Sequence, residues 1–314
     1  MATLAIHALA AAFALLADRA PSDTTPAQLA APSDAAIVAN DNRRAAGRLE
    51  RGVLTLRLEI RAGTLHPEED GGPGVPALAF GEEGGPLQAP GPMLRVPLGT
   101  EIRVRVHNAS DSAVFVHGFG SRAPARDSAL RIPAGEAREV QFAADRIGTY
   151  YYWGSLKPEL ESREWYDSQL AGAFIVDPVG ARTDDRVFVI GLWQRITDPS
   201  SPDQDALEEH IVINGKAWPH TERLAYTQGD SVRWRWINPT VSAHPMHLHG
   251  FYFNVESKGD AQHEHAYTVA ERPLVVTQLM QPGETMRVSW LRMRSHSIEL
   301  KNSSLSLRIG PPTE

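Results

Sequence analysis

Two stretches of this chain follow one recipe: Glu101-Ile102-Arg103-Val104-Arg105-Val106 after a Gly99-Thr100 turn, and Ser231-Val232-Arg233-Trp234-Arg235-Trp236 after a Gly229-Asp230 turn. Each alternates polar with apolar residues, and each run ends on Asn, at Asn108 and Asn238. Successive side chains of a strand point to opposite faces, so this alternation puts one face on a core and the other in water. A repeated turn-and-strand unit argues for internal duplication, and hence for two similar β units. The length of 314 residues fits two domains of ordinary size.

The rest of the chain extends this pattern. Short strands are predicted at Gly52–Arg61, Met93–Val96, Ala113–His117, Ala137–Phe142, Gly148–Trp153 and Ala171–Val176. After a linker at Asp177–Ala181 they resume at Arg186–Trp193, Gly250–Val255, Leu274–Thr277 and Thr285–Trp290. Residues 63–92, rich in Gly and Pro, read as loop. Short strands at regular spacing without helical patterns predict an all-β chain of two antiparallel sandwiches. The expected division is 1–42, an apolar leader and disordered segment, then 43–180, then 181–314. Ala20–Asn42 is a run of Ala, Pro, Ser, Thr and Asp without periodicity.

A formal charge of −7 excludes the basic surface that nucleic-acid binding needs. No polybasic patch marks a membrane surface, and no membrane anchor is evident. The apolar run up to Leu16 is too short for a comfortable span and resembles the core of a secretory signal, so a secreted or periplasmic location is expected. The chain has no Cys, which excludes disulfides and any thiolate metal ligand.

Chemistry concentrates in His244-Pro245-Met246-His247-Leu248-His249-Gly250. On a strand, residues two apart share a face, so His247 and His249 should point one way and His244 the other. Pro245 cannot donate to a sheet ladder, which places this segment at an edge or bend, where side chains can be aimed at a site. Imidazole suits copper, zinc, iron and nickel alike, so residue type alone leaves the metal open.

In this context the segment resembles the His-x-x-His-x-His motif of multicopper oxidases. Further likeness lies in Gly91–Val96, in Gly148-Thr149-Tyr150 after Pro133-Ala134-Gly135, in Gln169–Pro178 and in Ile213-Asn214-Gly215. The resemblance implies two cupredoxin-like Greek-key β-sandwich domains, with copper as cofactor. It also implies one-electron oxidation of a small-molecule reductant coupled to oxygen reduction. By resemblance His244 is a ligand of the mononuclear blue copper, and His247 and His249 reach the trinuclear cluster. In related two-domain enzymes clusters sit between subunits, so a homo-oligomer such as a trimer is a further implication.

The family pattern is broken in three places. The first-domain His-x-His-Gly stands here as Phe115-Val116-His117-Gly118, with His117 alone. The second pair falls on Trp153-Gly154-Ser155, and Trp153 is expected to pack. The His-Cys-His expected after Trp290 is missing, so the copper site, His117, His244, His247 and His249, is incomplete. Residues 291–314 look foreign to the fold, and the second domain is expected to be truncated, by a frameshift or truncation near Leu291. The expectation is therefore an oxidoreductase of this family impaired by missing ligands, with a non-catalytic cupredoxin scaffold as the alternative. His263 and His265 read as a solvated loop, and Glu164 and Asp167 form no carboxylate dyad.

Overall fold

The computed structural model describes residues 35–122, 129–157, 169–196, 207–291, 296–300 and 306–310. The apolar run 1–16 and the residues Glu164 and Asp167 lie outside them. Every regular element among the described residues is a strand. The first sandwich uses β1 (Ala36–Ala39), β2 (Arg48–Glu50), β3 (Val53–Leu65), β4 (Val75–Glu82), β5 (Leu87–Ala89) and β6 (Gly91–Pro97). It continues with β7 (Glu101–Asn108), β8 (Val114–His117), β9 (Leu130–Ile132), β10 (Ala137–Ala143), β11 (Gly148–Ser155) and β12 (Ala171–Asp177). The second uses β13 (Arg186–Ile196), β14 (Leu207–Ile213), β15 (Lys216–Ala217), β16 (Arg223–Tyr226), β17 (Ser231–Ile237), β18 (His244–Leu248) and β19 (Phe253–Gly259). It ends with β20 (Glu264–Ala266), β21 (Leu274–Val275), β22 (Thr277–Met280), β23 (Thr285–Leu291), β24 (His296–Leu300) and β25 (Ser306–Gly310).

The two alternating copies, β7 and β17, take matching places. β7 lies between β3, parallel, and β10, antiparallel; β17 lies between β13, parallel, and β23, antiparallel. The first sandwich pairs the sheet β1-β5-β4-β3-β7-β10 with β6-β12-β11-β8-β9. Between them Leu58, Ile60, Phe80, Val106, Tyr152 and Phe174 are buried together. The second pairs β15-β14-β13-β17-β23-β19-β20 with β16-β24-β25-β18-β22. Its core holds Phe188, Trp234, Trp236, Met246, Met280 and Trp290. The hairpin from β14 to β15 turns on Asn214 and Gly215 at φ of 51° and 83°. Both values are left-handed, as a two-residue Asn-Gly hairpin turn requires.

Three expectations change. Ala36–Ala39, read as disordered lead-in, form β1, parallel to β3 and β5; one apolar side chain, Ile37, is buried there, too little to show as periodicity. Residues 63–92 are not simply loop. β3 runs on to Leu65, and β4 is buried on both faces, so it lacks the alternation that marks a half-buried strand. The segment expected to be foreign to the fold contributes β24 and β25, which pair with each other, with β16 and with β18.

The sandwiches share a third core. Met93, Tyr151, Trp153, Ala173 and Ile175 of the first meet Val187, Val189 and Ile237 of the second. Beside it the Arg95 and Arg235 guanidiniums and the Asp177 and Asp185 carboxylates form a buried network with N···O separations of 2.5–3.0 Å. Asn214 adds a second tie: it accepts from the Val189 amide and the Asn42 side chain and donates to the Val187 carbonyl.

Candidate metal centre

β18 carries the histidine motif, and its burial follows period two. His244, Met246 and Leu248 are buried, Pro245 and His247 half-buried, and His249 is exposed in the following turn. His247 and His249 therefore share the outer face and His244 the inner one. Pro245 pairs with Leu279 of β22, whereas β25 meets β18 at His247 and Leu248. Among the described residues, the missing proline N–H thus falls where β18 has one neighbour.

The outer pair is compact. The His247 and His249 ring centroids are 4.6 Å apart with planes at 86°. Thr277, opposite His247 in register, shares a 2.6 Å hydrogen bond with its Nδ1. Where Thr277 accepts that bond, Nε2 carries the lone pair a metal needs. Thr277 gives no signal in the sequence, because the register of β22 on β18 brings it there.

His244 is separate, with 4% of its surface exposed on the core side. Its Nε2 lies 3.0 Å from Thr240 Oγ1. Burial pushes its pKa below the ordinary histidine value, with Glu209 pulling weakly the other way, so the ring is neutral at pH 7.

His117 closes β8 directly opposite Trp153 of β11. The two rings stack at 3.8 Å and 4°, and Trp153 is buried in the core shared by the sandwiches. Trp153 packs as expected, filling the position where the family pattern has a ligand. Gly118 follows at φ +83°, and a Cβ there would sit 2.6 Å from the Tyr151 carbonyl oxygen.

The four candidate histidines do not converge. Among the described residues no three His, Cys, Asp or Glu side chains are grouped to hold a metal ion. Blue copper needs two imidazoles and a thiolate, and a chain without Cys does not fit it. The His247–His249 pair does fit part of a histidine copper site: two adjacent imidazoles, one already oriented by a hydroxyl.

Two family models, both described as multicopper oxidase, match residues 87–180 and 193–295, together more than half of the chain. The chain belongs to the multicopper oxidase family. Its solved relatives include the multicopper oxidase mgLAC, 20% identical with a TM-score of 0.60, over 83% of this chain and 87% of that one. A copper nitrite reductase from Nitrosomonas europaea superposes with a TM-score of 0.59 at 17% identity, over 83% of this chain and 94% of that one. These likenesses carry the fold, two cupredoxin sandwiches. A curated relative, a probable nitrite reductase-hydroxylamine oxidoreductase fusion protein from Kuenenia stuttgartiensis, is 26% identical over 63% of this chain. The match spans 25% of that protein's length.

Proposed function

We propose that this member of the multicopper oxidase family is a copper-binding oxidoreductase whose oxidase activity is weak or absent. The observation that carries the reading is the His247–His249 pair, adjacent on the outer face of β18 and braced by Thr277. A copper ion held there would supply one-electron chemistry towards oxygen, or towards nitrite as the names of two relatives indicate. The chain's own part is to present two imidazoles at fixed orientation and to keep the His247 tautomer suited to coordination. Two imidazoles leave a copper ion short of ligands, which a second copy of the chain in a homo-oligomer would complete.

Impairment follows from the missing thiolate. In this family the cysteine is both blue-copper ligand and electron conduit, and this sequence has no cysteine. Trp153 closes a second route, because an indole has no lone pair to coordinate copper.

The stacked His117–Trp153 pair favours a second reading, a cupredoxin scaffold without catalysis. Copper stoichiometry on the purified, copper-loaded chain separates the two, with visible and paramagnetic resonance spectra and assays against oxygen and nitrite. A bound, non-blue, histidine-type Cu(II) signal that disappears in His247→Ala supports the copper reading. Loss of all Cu(II) on desalting rejects it in favour of the scaffold.

A further inference from the structure

We infer that the second sandwich carries a one-electron redox centre made of side chains alone, in which Trp234 passes an oxidising equivalent to the tyrosine it is hydrogen-bonded to, Tyr226. Period two puts Trp234 and Trp236 together on the core face of β17, and Trp290 joins them from the neighbouring strand β23. The Trp234 ring stands edge-on to Trp290 at 4.5 Å and 87°, and to Trp236 at 5.9 Å and 71°. Tyr226 reaches the same ring from β16 of the facing sheet, with centroids 6.5 Å apart. The three indoles are buried, whereas Tyr226 is half-buried at the margin of their core. These are ordinary contact separations for aromatic pairs, so electron exchange between neighbours is direct. His247 lines the small cavity of about 20 Å³ that the three indoles share, so the column starts under the outer face of β18. The inference needs no metal there.

A hydrogen bond selects Trp234 among the indoles. Its Nε1 donates to Tyr226 Oη at 2.8 Å, and the direction is fixed because an indole N–H can only donate. Trp290 Nε1 is buried without a hydrogen-bond partner among the described residues. Loss of one electron turns an indole into a radical cation with a more acidic N–H. A cation buried in an apolar core is costly unless a polar partner supports it. Tyr226 Oη gives Trp234 that partner, and Trp290 lacks one.

The same cost drives the hole outward. Tyr226 gives one electron to the Trp234 radical cation, which becomes a neutral indole again. The Tyr226 hydroxyl proton passes to solvent, to which this half-buried residue is open, and a neutral tyrosyl radical remains. One electron has moved, one proton has left and no charge stays buried. The oxidant is an outer-sphere one-electron acceptor, which is reduced by that electron and exchanges no atoms. Burial pushes the Tyr226 pKa above the ordinary phenol value, so the residue keeps its proton at neutral pH until it is oxidised. The chain has no Cys, so no thiol of its own reduces the radical.

The test is laser flash photolysis of the metal-free full chain in oxygen-saturated buffer. Ultraviolet light ejects an electron from the indoles, and dioxygen takes it up as superoxide. Decay of the tryptophanyl absorption into a tyrosyl band, at a rate independent of protein concentration, reports transfer within one chain; paramagnetic resonance identifies the tyrosyl product. Tyr226→Phe, which removes a single oxygen atom, should abolish this phase and leave a tryptophanyl radical in its place. Trp234→Phe should abolish it with Tyr226 intact. Tyr252→Phe, at a tyrosine 64% exposed and outside the column, should retain it. Circular dichroism checks that each variant is folded, and if Trp234→Phe is not, Tyr226→Phe decides alone. A phase that persists in Tyr226→Phe or in folded Trp234→Phe, or that is lost in Tyr252→Phe, overturns the inference. None of these results bears on the Cu(II) outcome at the outer pair.

Discussion

Replacing Arg235 by Met should destabilise the protein far more than any surface arginine replacement. Arg235 is 6% exposed at its side chain and reaches across the junction between the sandwiches. It donates to Asp177 at 3.0 Å, Asp185 at 2.5 Å and Thr149 at 2.8 Å. The four buried charges, Arg95, Arg235, Asp177 and Asp185, sum to zero; Arg235→Met leaves two carboxylates against one guanidinium. Removing one partner from a buried pair costs about 3–5 kcal/mol, chiefly because the remaining charge stays desolvated. Arg95 still touches both carboxylates, so the expected loss is near the lower end, about 3 kcal/mol. The control is Arg57→Met: Arg57 is 61% exposed in its pair with Glu83, where such bridges contribute about 0–1 kcal/mol. Urea unfolding followed by tryptophan fluorescence measures both.

The same variant should be more acid-sensitive. Burial pushes the Asp185 carboxyl up, but Arg235 and Arg95 more than offset this and hold it below its ordinary value. A carboxyl with a lowered folded pKa adds stability above its unfolded pKa of about 3.9, lost as pH falls through the folded pKa. Without Arg235 that contribution shrinks and acid unfolding begins at higher pH. Equal losses for Arg235→Met and Arg57→Met, or an unchanged acid midpoint, would refute the reasoning.

Other substitutions probe the elements that place the histidines. Asn214→Ala leaves the buried Val189 amide and Val187 carbonyl without their partner and should cost about 1–3 kcal/mol by urea unfolding. Gly118→Ala forces a Cβ into the left-handed region and against the Tyr151 carbonyl; a loss of about 1–3 kcal/mol or more is expected, read as a lower thermal midpoint. Thr277→Val removes the hydroxyl that orients His247, and should weaken Cu(II) at the outer pair by roughly 10–100-fold while leaving stability within about 1 kcal/mol, measured by chelator competition and unfolding.

Much of the architecture was legible because half-buried strands announce themselves. Alternation in 101–106 and 231–236 marked β7 and β17, and the same period assigned His244 and His247 to opposite faces before any coordinates. Where the pattern gives no contrast, legibility failed. β4 is buried on both sides, β1 buries one apolar residue, and β24 and β25 follow a stretch whose family pattern has gone. The absence of Cys, the strand period and the identity of the histidines are properties of the chain alone. Which groups meet those histidines is set by register between strands far apart in sequence. Thr277 beside His247, Met280 opposite His244 and Trp153 against His117 each depend on it, since a slip of one residue would turn all three to the other face.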